Sequence, residues 1–264
     1  YKMNHNIKIP KPKNYEKFFF KQNLGWIVDL SKKKKKLKDD RVNPKPHLPK
    51  LKDLYFLYQF IILNNRTTVL EYGCGWSTLI MHLALTMNEK RFNKKTFNRC
   101  SNPFDLICVD NSKRFLNIAK KRVNKYSKKS QKVKFCYSEA RMTKFQDRYC
   151  TEYKNHPLCN PDLIYIDGPS QWTIKNKIEN FTINHFSMMP MVSDVLKFEH
   201  FLTPGTIIIT DGRTANARFL KSNFQRNWKH IHSLKTDQNY FYLKEKPLGK
   251  WNIEQLKFYM KKVI

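Results

Sequence analysis

The chain has 264 residues, 41% of them hydrophobic and 14% aromatic, which is enough to bury a sizeable core. Its longest apolar run, Leu54–Leu63, is much shorter than the roughly 20 residues that a membrane-spanning helix needs, so no bilayer span is expected. Lys and Arg total 51 against 21 Asp and Glu, a formal net charge of +30. Surfaces that bind phosphate groups favour arginine, whereas this chain is rich in lysine. We therefore expect the basic charge to reflect the overall amino-acid composition and not a dedicated nucleic-acid-binding surface.

Six cysteines are scattered along the chain without a C-x-x-C pair. This spacing indicates neither a zinc site nor a disulfide framework, and it predicts a reducing, cytoplasmic environment.

The first 50 residues are rich in lysine and proline, as in "KIPKPK" and "SKKKKKLKDD". They are expected to form a basic N-terminal arm, with Trp26 and Ile27 docked on the main body. Residues 51–264 are expected to form one domain that begins with a helix over Leu51–Leu63.

After that helix, short apolar segments alternate with amphipathic ones. Strands are predicted at Thr68–Tyr72, Asp105–Val109, Lys132–Tyr137, Asp162–Ile166 and Thr206–Thr210, helices at Ser77–Met87, Ser112–Tyr126 and Ala215–Arg226, and two closing strands at 228–234 and 239–245. The connection between the last two is too short for a crossover, so they form an antiparallel hairpin. The pattern predicts an α/β fold with a mostly parallel, seven-stranded, Rossmann-like sheet, helices on both faces and a C-terminal antiparallel hairpin.

The turn after the first strand reads "EYGCGWST" and holds two of the chain's 7 glycines. A glycine turn at this edge of an open α/β sheet lets a nucleotide-like ligand approach the backbone. The third glycine of the dinucleotide fingerprint is absent. Glu71 would repel a diphosphate but could meet the ammonium group of S-adenosylmethionine (SAM).

Four segments, "VLEYGCGWST", "LICVDNS", "DLIYIDGPS" and "PGTIIITDG", together resemble the class I SAM-dependent methyltransferases over about residues 51–245. The resemblance implies that Asp110 holds the ribose hydroxyls, that Asn111 lies beside the adenine, and that Ser138 and Glu139 lie near its edge. The full set of cofactor-binding residues that it implies is Glu71, Gly73, Cys74, Gly75, Ser77, Asp110, Asn111, Ser138 and Glu139.

Two aspartates follow the strands that would flank the sulfonium, Asp167 in "YIDGPS" and Asp211 in "ITDGRTAN". Either could act as a general base toward an acceptor hydroxyl, or both could hold a divalent cation such as Mg²⁺. Metal-dependent O-methyltransferases of the catechol type have an Asp-Asn pair where this chain has Asp211-Gly212. A metal site would therefore need Asn216 or another group as a substitute ligand, and its ligands stay undefined.

The sequence thus predicts a SAM-dependent methyltransferase that acts on the oxygen of a small molecule or sugar. Three alternatives remain open: an RNA methyltransferase that uses the lysine-rich surface, a catalytically silent SAM-binding subunit, and a nicotinamide enzyme. Nucleic acid is the less favoured partner, and the oligomeric state is left open.

Overall fold

The computed structural model describes residues 6–33, 46–92 and 103–261. The helices are α1 Tyr15–Lys21, α2 Gly25–Ser31, α3 Leu51–Leu63, α4 Trp76–Phe92, α5 Lys113–Tyr126, α6 Asp194–Lys197, α7 Thr214–Asn223 and α8 Lys250–Met260. The strands are β1 Val69–Tyr72, β2 Leu106–Asp110, β3 Val133–Tyr137, β4 Ala140–Phe145, β5 Arg148–Tyr153, β6 Leu163–Ile166, β7 Ile207–Thr210, β8 Trp228–Ser233 and β9 Gln238–Leu243.

Seven of the strands form one sheet in the order β3-β2-β1-β6-β7-β9-β8. The pairs from β3 through β7 are parallel, and β9 pairs antiparallel with both β7 and β8. The strand order reverses between β1 and β6, so the carboxyl ends of these two strands form the switch point at which open α/β sheets bind ligands. The fold class predicted from the sequence is confirmed.

The two faces of the sheet carry separate hydrophobic clusters, because successive side chains of a strand point to opposite faces. Val69 belongs to the cluster that contains α3 and α4, whereas Leu70 belongs to the one that contains Val195 and Leu220. Helices therefore cover both faces, and the site is confined to the edge where the parallel strands end.

Residues 6–33 include helices α1 and α2, which pack into the cluster on the α3 face. Ile27 is completely buried, and the Trp26 ring stacks on Tyr126 with centroids 3.8 Å apart. The expected docking of these two residues is therefore observed. Most of the lysine run falls within residues 34–45, outside the described part of the chain.

No strand or helix is predicted from the sequence between β3 and β6, and in the structure this segment contains a separate antiparallel hairpin, β4–β5. Its two-residue turn, Gln146 and Asp147, has φ values of 48° and 60°. Positive φ at both positions is the type I′ geometry that matches the twist of a hairpin. This hairpin changes the surroundings of the residues that follow β3.

Within the described ranges, no helix combines the length and apolar character required to cross a membrane.

Candidate active site

The backbone amides of the glycine turn after β1 donate hydrogen bonds to other groups of the protein. The amide of Gly73 donates to the carbonyl oxygen of Val109 at 2.8 Å, and that of Cys74 donates to Oδ2 of Asp110 at 2.8 Å. The amide of Gly75 donates to Oγ1 of Thr78 at 3.0 Å. Three donors that could have bound a diphosphate are therefore already engaged within the protein.

Glu71 lies beneath this turn and is completely buried. Its carboxylate accepts hydrogen bonds from Oγ of Ser77 at 2.5 Å, Oγ1 of Thr78 at 2.7 Å and Sγ of Cys108 at 3.1 Å. Burial raises the pKa of Glu71 to about 7, although these hydrogen bonds act in the opposite direction. The carboxylate therefore anchors the turn and the start of α4 from below, and it is not part of the cavity wall described next.

A cavity of about 490 Å³ opens at the carboxyl ends of β1, β2, β6 and β7. This volume is in the range of small-molecule and cofactor sites. Of the residues that the sequence assigned to the cofactor or to catalysis, eight line it: Gly73, Cys74, Gly75, Ser77, Asp110, Asn111, Asp167 and Asp211. Aromatic and apolar side chains complete the wall, among them Trp76, Phe115, Ile118 and Trp172.

Asp110 and Asn111 shape the wall at the end of β2. Besides its bond to the Cys74 amide, Asp110 accepts a hydrogen bond at Oδ1 from the amide of Ser112 at 2.6 Å, and burial raises its pKa. Asn111 donates from Nδ2 to Oγ1 of Thr173 at 2.6 Å. These contacts fix the end of β2 against the turn and against the segment that follows β6.

Asp167 and Asp211 face the same cavity from the ends of neighbouring strands. The Asp167 side chain is 40% accessible, but the surface it exposes belongs to the cavity wall. Its pKa is raised well above the usual range, first by poor solvation and next by the negative charge of the Asp211 carboxylate. The two aspartates therefore form a carboxyl pair in which the charge of Asp211 favours the protonated form of Asp167.

Arg213 completes this corner of the cavity. One of its terminal nitrogens lies 3.7 Å from Oδ1 of Asp167, and the other donates to the carbonyl oxygen of Pro169 at 3.3 Å. The guanidinium lowers the pKa of Asp167, but this effect is smaller than the two that raise it. Oδ1 of Asp211 is buried and has no hydrogen-bond partner among the described residues.

Two further residues of the wall were missed by the sequence reasoning. Tyr165 lies on β6 two positions before Asp167, so the period of two along a strand could have indicated that both face the same side. Asp53 comes from α3 and lies 3.9 Å from Nζ of Lys50. No local pattern indicates that α3 reaches the ends of β6 and β7.

Ser138 and Glu139 lie outside the cavity wall, at the entry to the β4–β5 hairpin. Oγ of Ser138 accepts a hydrogen bond from the amide of Asn155, and the carbonyl oxygen of Glu139 accepts one from the amide of Lys154. Both residues are thus used to hold the hairpin, and their contact with an adenine stays a prediction.

Asn216, the candidate substitute metal ligand, is completely buried, and its Oδ1 accepts a hydrogen bond from the amide of Val192 at 2.9 Å. In residues 6–33, 46–92 and 103–261, no group of three or more His, Cys, Asp or Glu side chains is arranged to hold a metal ion. The donor set that surrounds Asp167 therefore does not by itself define a metal centre.

No family model matches the chain, and no curated protein matches it. Among solved structures, it is similar to an O-methyltransferase from Bacillus cereus in complex with SAH (14% identity, 88% of this chain and 92% of that one, TM-score 0.42). It is also similar to the O-methyltransferase TomG from Streptomyces achromogenes in complex with SAM (12% identity, 83% and 96%, TM-score 0.43). A third similar structure is cofactor-bound Rv0187 from MTB (12% identity, 90% and 100%, TM-score 0.46).

Proposed function

We propose that this chain is a SAM-dependent methyltransferase that acts on an oxygen atom of a small molecule or sugar. One observation carries the proposal: a glycine turn with satisfied amides and the carboxyl pair of Asp167 and Asp211 line one cavity at the switch point of the sheet. The first feature suits a nucleoside with no phosphate, and the second suits the removal of a proton from an acceptor.

The choice of SAM over a nicotinamide dinucleotide follows from the hydrogen bonds of the turn. A dinucleotide site offers free backbone amides to the pyrophosphate. Here the amides of Gly73, Cys74 and Gly75 are engaged, and the Asp110 carboxylate lies on the turn itself. A carboxylate at this position repels a diphosphate, but it is compatible with ribose hydroxyls and with a cationic sulfonium.

The surroundings of Gly75 give a separate reason to expect a bound nucleoside at the turn. A Cβ atom added at this residue would have no protein atom closer than Oγ of Ser77 at 3.8 Å. Packing within the protein therefore does not require glycine at this position, although the residue lines the cavity. A bound nucleoside that closely approaches the backbone would explain why glycine occupies this position.

The residues that would hold SAM are Gly73, Cys74, Gly75, Ser77, Asp110 and Asn111, which share the wall of the cavity. Glu71 would act on the cofactor through the position of Ser77 and Thr78, to which it is bonded. When bound, SAM supplies a methyl group activated by the positive sulfur.

The chemistry of the protein centres on Asp167. Its raised pKa makes the ionised carboxylate a stronger base than an ordinary aspartate, which favours acceptance of a proton from an acceptor hydroxyl. Arg213 orients the carboxylate, and Asp211 lines the same wall, where its charge helps to keep the pKa of Asp167 raised.

The acidic wall also favours a small acceptor over RNA. Asp53, Asp167 and Asp211 all line the cavity, and their carboxylates would repel phosphate groups at the point where methyl transfer occurs. Lys50, Arg122 and Arg213 also line the cavity, and the remaining basic charge of the chain would support nonspecific contact with polyanions at low salt.

A thermal-shift experiment with SAM, SAH and NADH, each with and without Mg²⁺, tests the cofactor class. We expect SAM and SAH to raise the melting temperature and NADH to leave it unchanged, since only a ligand of the native state stabilises it. A shift with NADH alone would overturn the proposal. A shift with SAH that needs Mg²⁺ would instead assign a metal to the site.

The catalytic part of the proposal is tested with Asp167→Asn in an assay of methyl transfer from labelled SAM to small-molecule acceptor pools. We expect turnover to fall by about 10² to 10⁴, the usual contribution of a general base, while SAH binding is retained. SAH binding without turnover in the unmodified protein would favour the silent-subunit alternative.

A further inference from the structure

A second cavity, of about 250 Å³, lies beside the first at the ends of β6 and β7. The two cavities share Lys50, Asp53, Tyr165, Asp211 and Arg213. Met189, Gly212, Thr236, Asp237 and Gln238 complete the wall of the smaller one. A ligand in this space would thus lie next to the carboxyl pair without occupying the glycine turn.

Tyr165 is the buried polar group that both cavities share. It is only 3% exposed, and its hydroxyl forms no hydrogen bond with any of the described residues. The hydroxyl is therefore open to the cavities, where polar groups of this kind fix the orientation of a ligand. Its place in both walls makes it a hydrogen-bonding group for whatever ligand occupies them.

Carboxylates surround this hydroxyl. Asp53 and Asp211 line both cavities, and Asp237 lines the smaller one, where its Oδ2 would be 2.7 Å from a Cβ atom added at Gly212. Burial raises the pKa of Asp53; Lys50 and Lys52 act to lower it, and Asp211 and Asp237 act to raise it, so the three carboxylates interact electrostatically.

Two cations face the same space, and both have a carboxylate partner. Lys50 lies 3.9 Å from Asp53, and Arg213 lies 3.7 Å from Asp167. In the wall of the smaller cavity, three aspartates (Asp53, Asp211 and Asp237) against two cations leave a local excess of negative charge in a chain whose formal net charge is +30. The complement of such a site is a cationic ligand.

The spacing of the carboxylates separates an organic cation from a metal ion. Within the described ranges, no three acidic, histidine or cysteine side chains converge on one point as a metal ion would require. Asp237 approaches from the β8–β9 turn and Asp167 from the end of β6. Groups that approach from different sides fit a molecule with separate polar groups.

We infer that the smaller cavity is the acceptor subsite and that it takes a compact molecule with both a hydroxyl group and a protonated amine. The hydroxyl would face Tyr165, Asp167 and Asp211, and the ammonium would face Asp53 and Asp237. The inference rests on the proposed function and names the substrate class of the same site.

Calorimetric titration of the protein saturated with SAH tests this inference with two matched series of probes. One series is glucosamine, glucose and glucuronate, and the other is tyramine, 4-(2-hydroxyethyl)phenol and 4-hydroxyphenylacetate. We expect the amine of at least one series to bind about tenfold more tightly than its neutral analogue, the gain from one hydrogen bond to a charged group. The acid should bind most weakly.

Asp237→Asn should abolish the preference for the amine. Asp147→Asn is its matched control, because Asp147 also has a positive φ in a hairpin turn and lines neither cavity. Tyr165→Phe should weaken the hydroxylated probes severalfold, since one hydrogen-bonding group is lost.

Three results would overturn the inference: no amine preference in either series, a preference that survives Asp237→Asn, or tighter binding of the neutral probes when Mg²⁺ is added. The last would assign the carboxylates to a metal. SAH binding is measured first, and its absence would overturn the proposed function, so the two failures are distinguishable.

Discussion

Gly73 and Gly168 are in direct backbone contact across the switch point of the sheet. A Cβ atom on Gly73 would lie 2.6 Å from the nitrogen of Gly168, and one on Gly168 would lie 2.7 Å from Cα of Gly73. The turns after β1 and β6 therefore lie so close together that neither glycine position has room for a side chain. This contact explains one glycine of the first turn by packing within the protein, whereas Gly75 has open space around it.

Alanine substitutions of the two glycines should separate folding from binding. Gly73 has φ +87° and no room for a side chain, so Gly73→Ala should lower the free energy of unfolding by about 2–4 kcal/mol. Gly75→Ala should change it by less than about 0.5 kcal/mol but weaken SAH binding, because the methyl group points into ligand space. Chemical denaturation and calorimetry measure both quantities. Equal destabilisation by the two variants would contradict this division of roles.

The buried carboxyl of Glu71 should make stability depend on pH. Its pKa is raised from an ordinary value of 4.5 in the unfolded chain to about 7 in the folded protein. The folded state therefore holds the proton more tightly, so the stabilisation is fully present below pH 4.5 and is lost as the pH rises through 7. A shift of this size corresponds to about 3 kcal/mol.

Glu71→Gln should remove this dependence, since the amide does not ionise. The measurement is the difference in the free energy of unfolding between the variant and the unmodified protein from pH 4.5 to 7.5. Asp194 is also buried with a pKa raised to about 7, so Asp194→Asn serves as a comparison that should remove a separate part of the slope. A difference curve without slope for Glu71→Gln would show that Glu71 ionises normally.

The sheet could be predicted because its strands are short apolar segments, separated by segments with the periodicity of an amphipathic helix. Each of the five parallel strands begins within one residue of its predicted start, and α3 has the predicted bounds. The β4–β5 hairpin was missed because its turn is Gln146-Asp147 and lacks the asparagine-glycine or aspartate-glycine pair that usually indicates type I′ geometry.

The sequence predicted which strand ends form the site, but not the contacts that surround them. Asp110, Asp167 and Asp211 come directly at or after strands whose carboxyl ends share one edge, which brings them to one cavity. Both oxygens of Glu71 accept hydrogen bonds from hydroxyls at the start of α4. These bonds depend on the distance between helix and strand, which the sequence does not give. Asp53 lines the cavity because of the way α3 packs against the sheet, and no local sequence pattern predicts this packing.

The N-terminal helices should contribute to the stability of the whole fold. Ile27 is completely buried on the α3 side of the sheet, so Ile27→Ala should lower the free energy of unfolding by about 2–5 kcal/mol. Asp29 is exposed on the same helix, and Asp29→Ala should change it by less than about 0.5 kcal/mol. Urea denaturation compares the two. A small effect of Ile27→Ala would mean that residues 6–33 are a dispensable extension of the domain.

The carboxyl pair should be visible by NMR without knowledge of the acceptor. With aspartate carboxyl carbons labelled with ¹³C, one signal should titrate well above the ordinary range, and Asp167→Asn should remove it. Asp211→Asn should lower the pKa of Asp167, because the repulsion is lost, but poor solvation in the cavity wall should keep it raised. Methyl transfer should then rise with pH through the same pKa, since only the ionised carboxylate accepts a proton, and this limb should move to lower pH in Asp211→Asn. An Asp167 signal that does not move in Asp211→Asn would mean that the two carboxyls act independently.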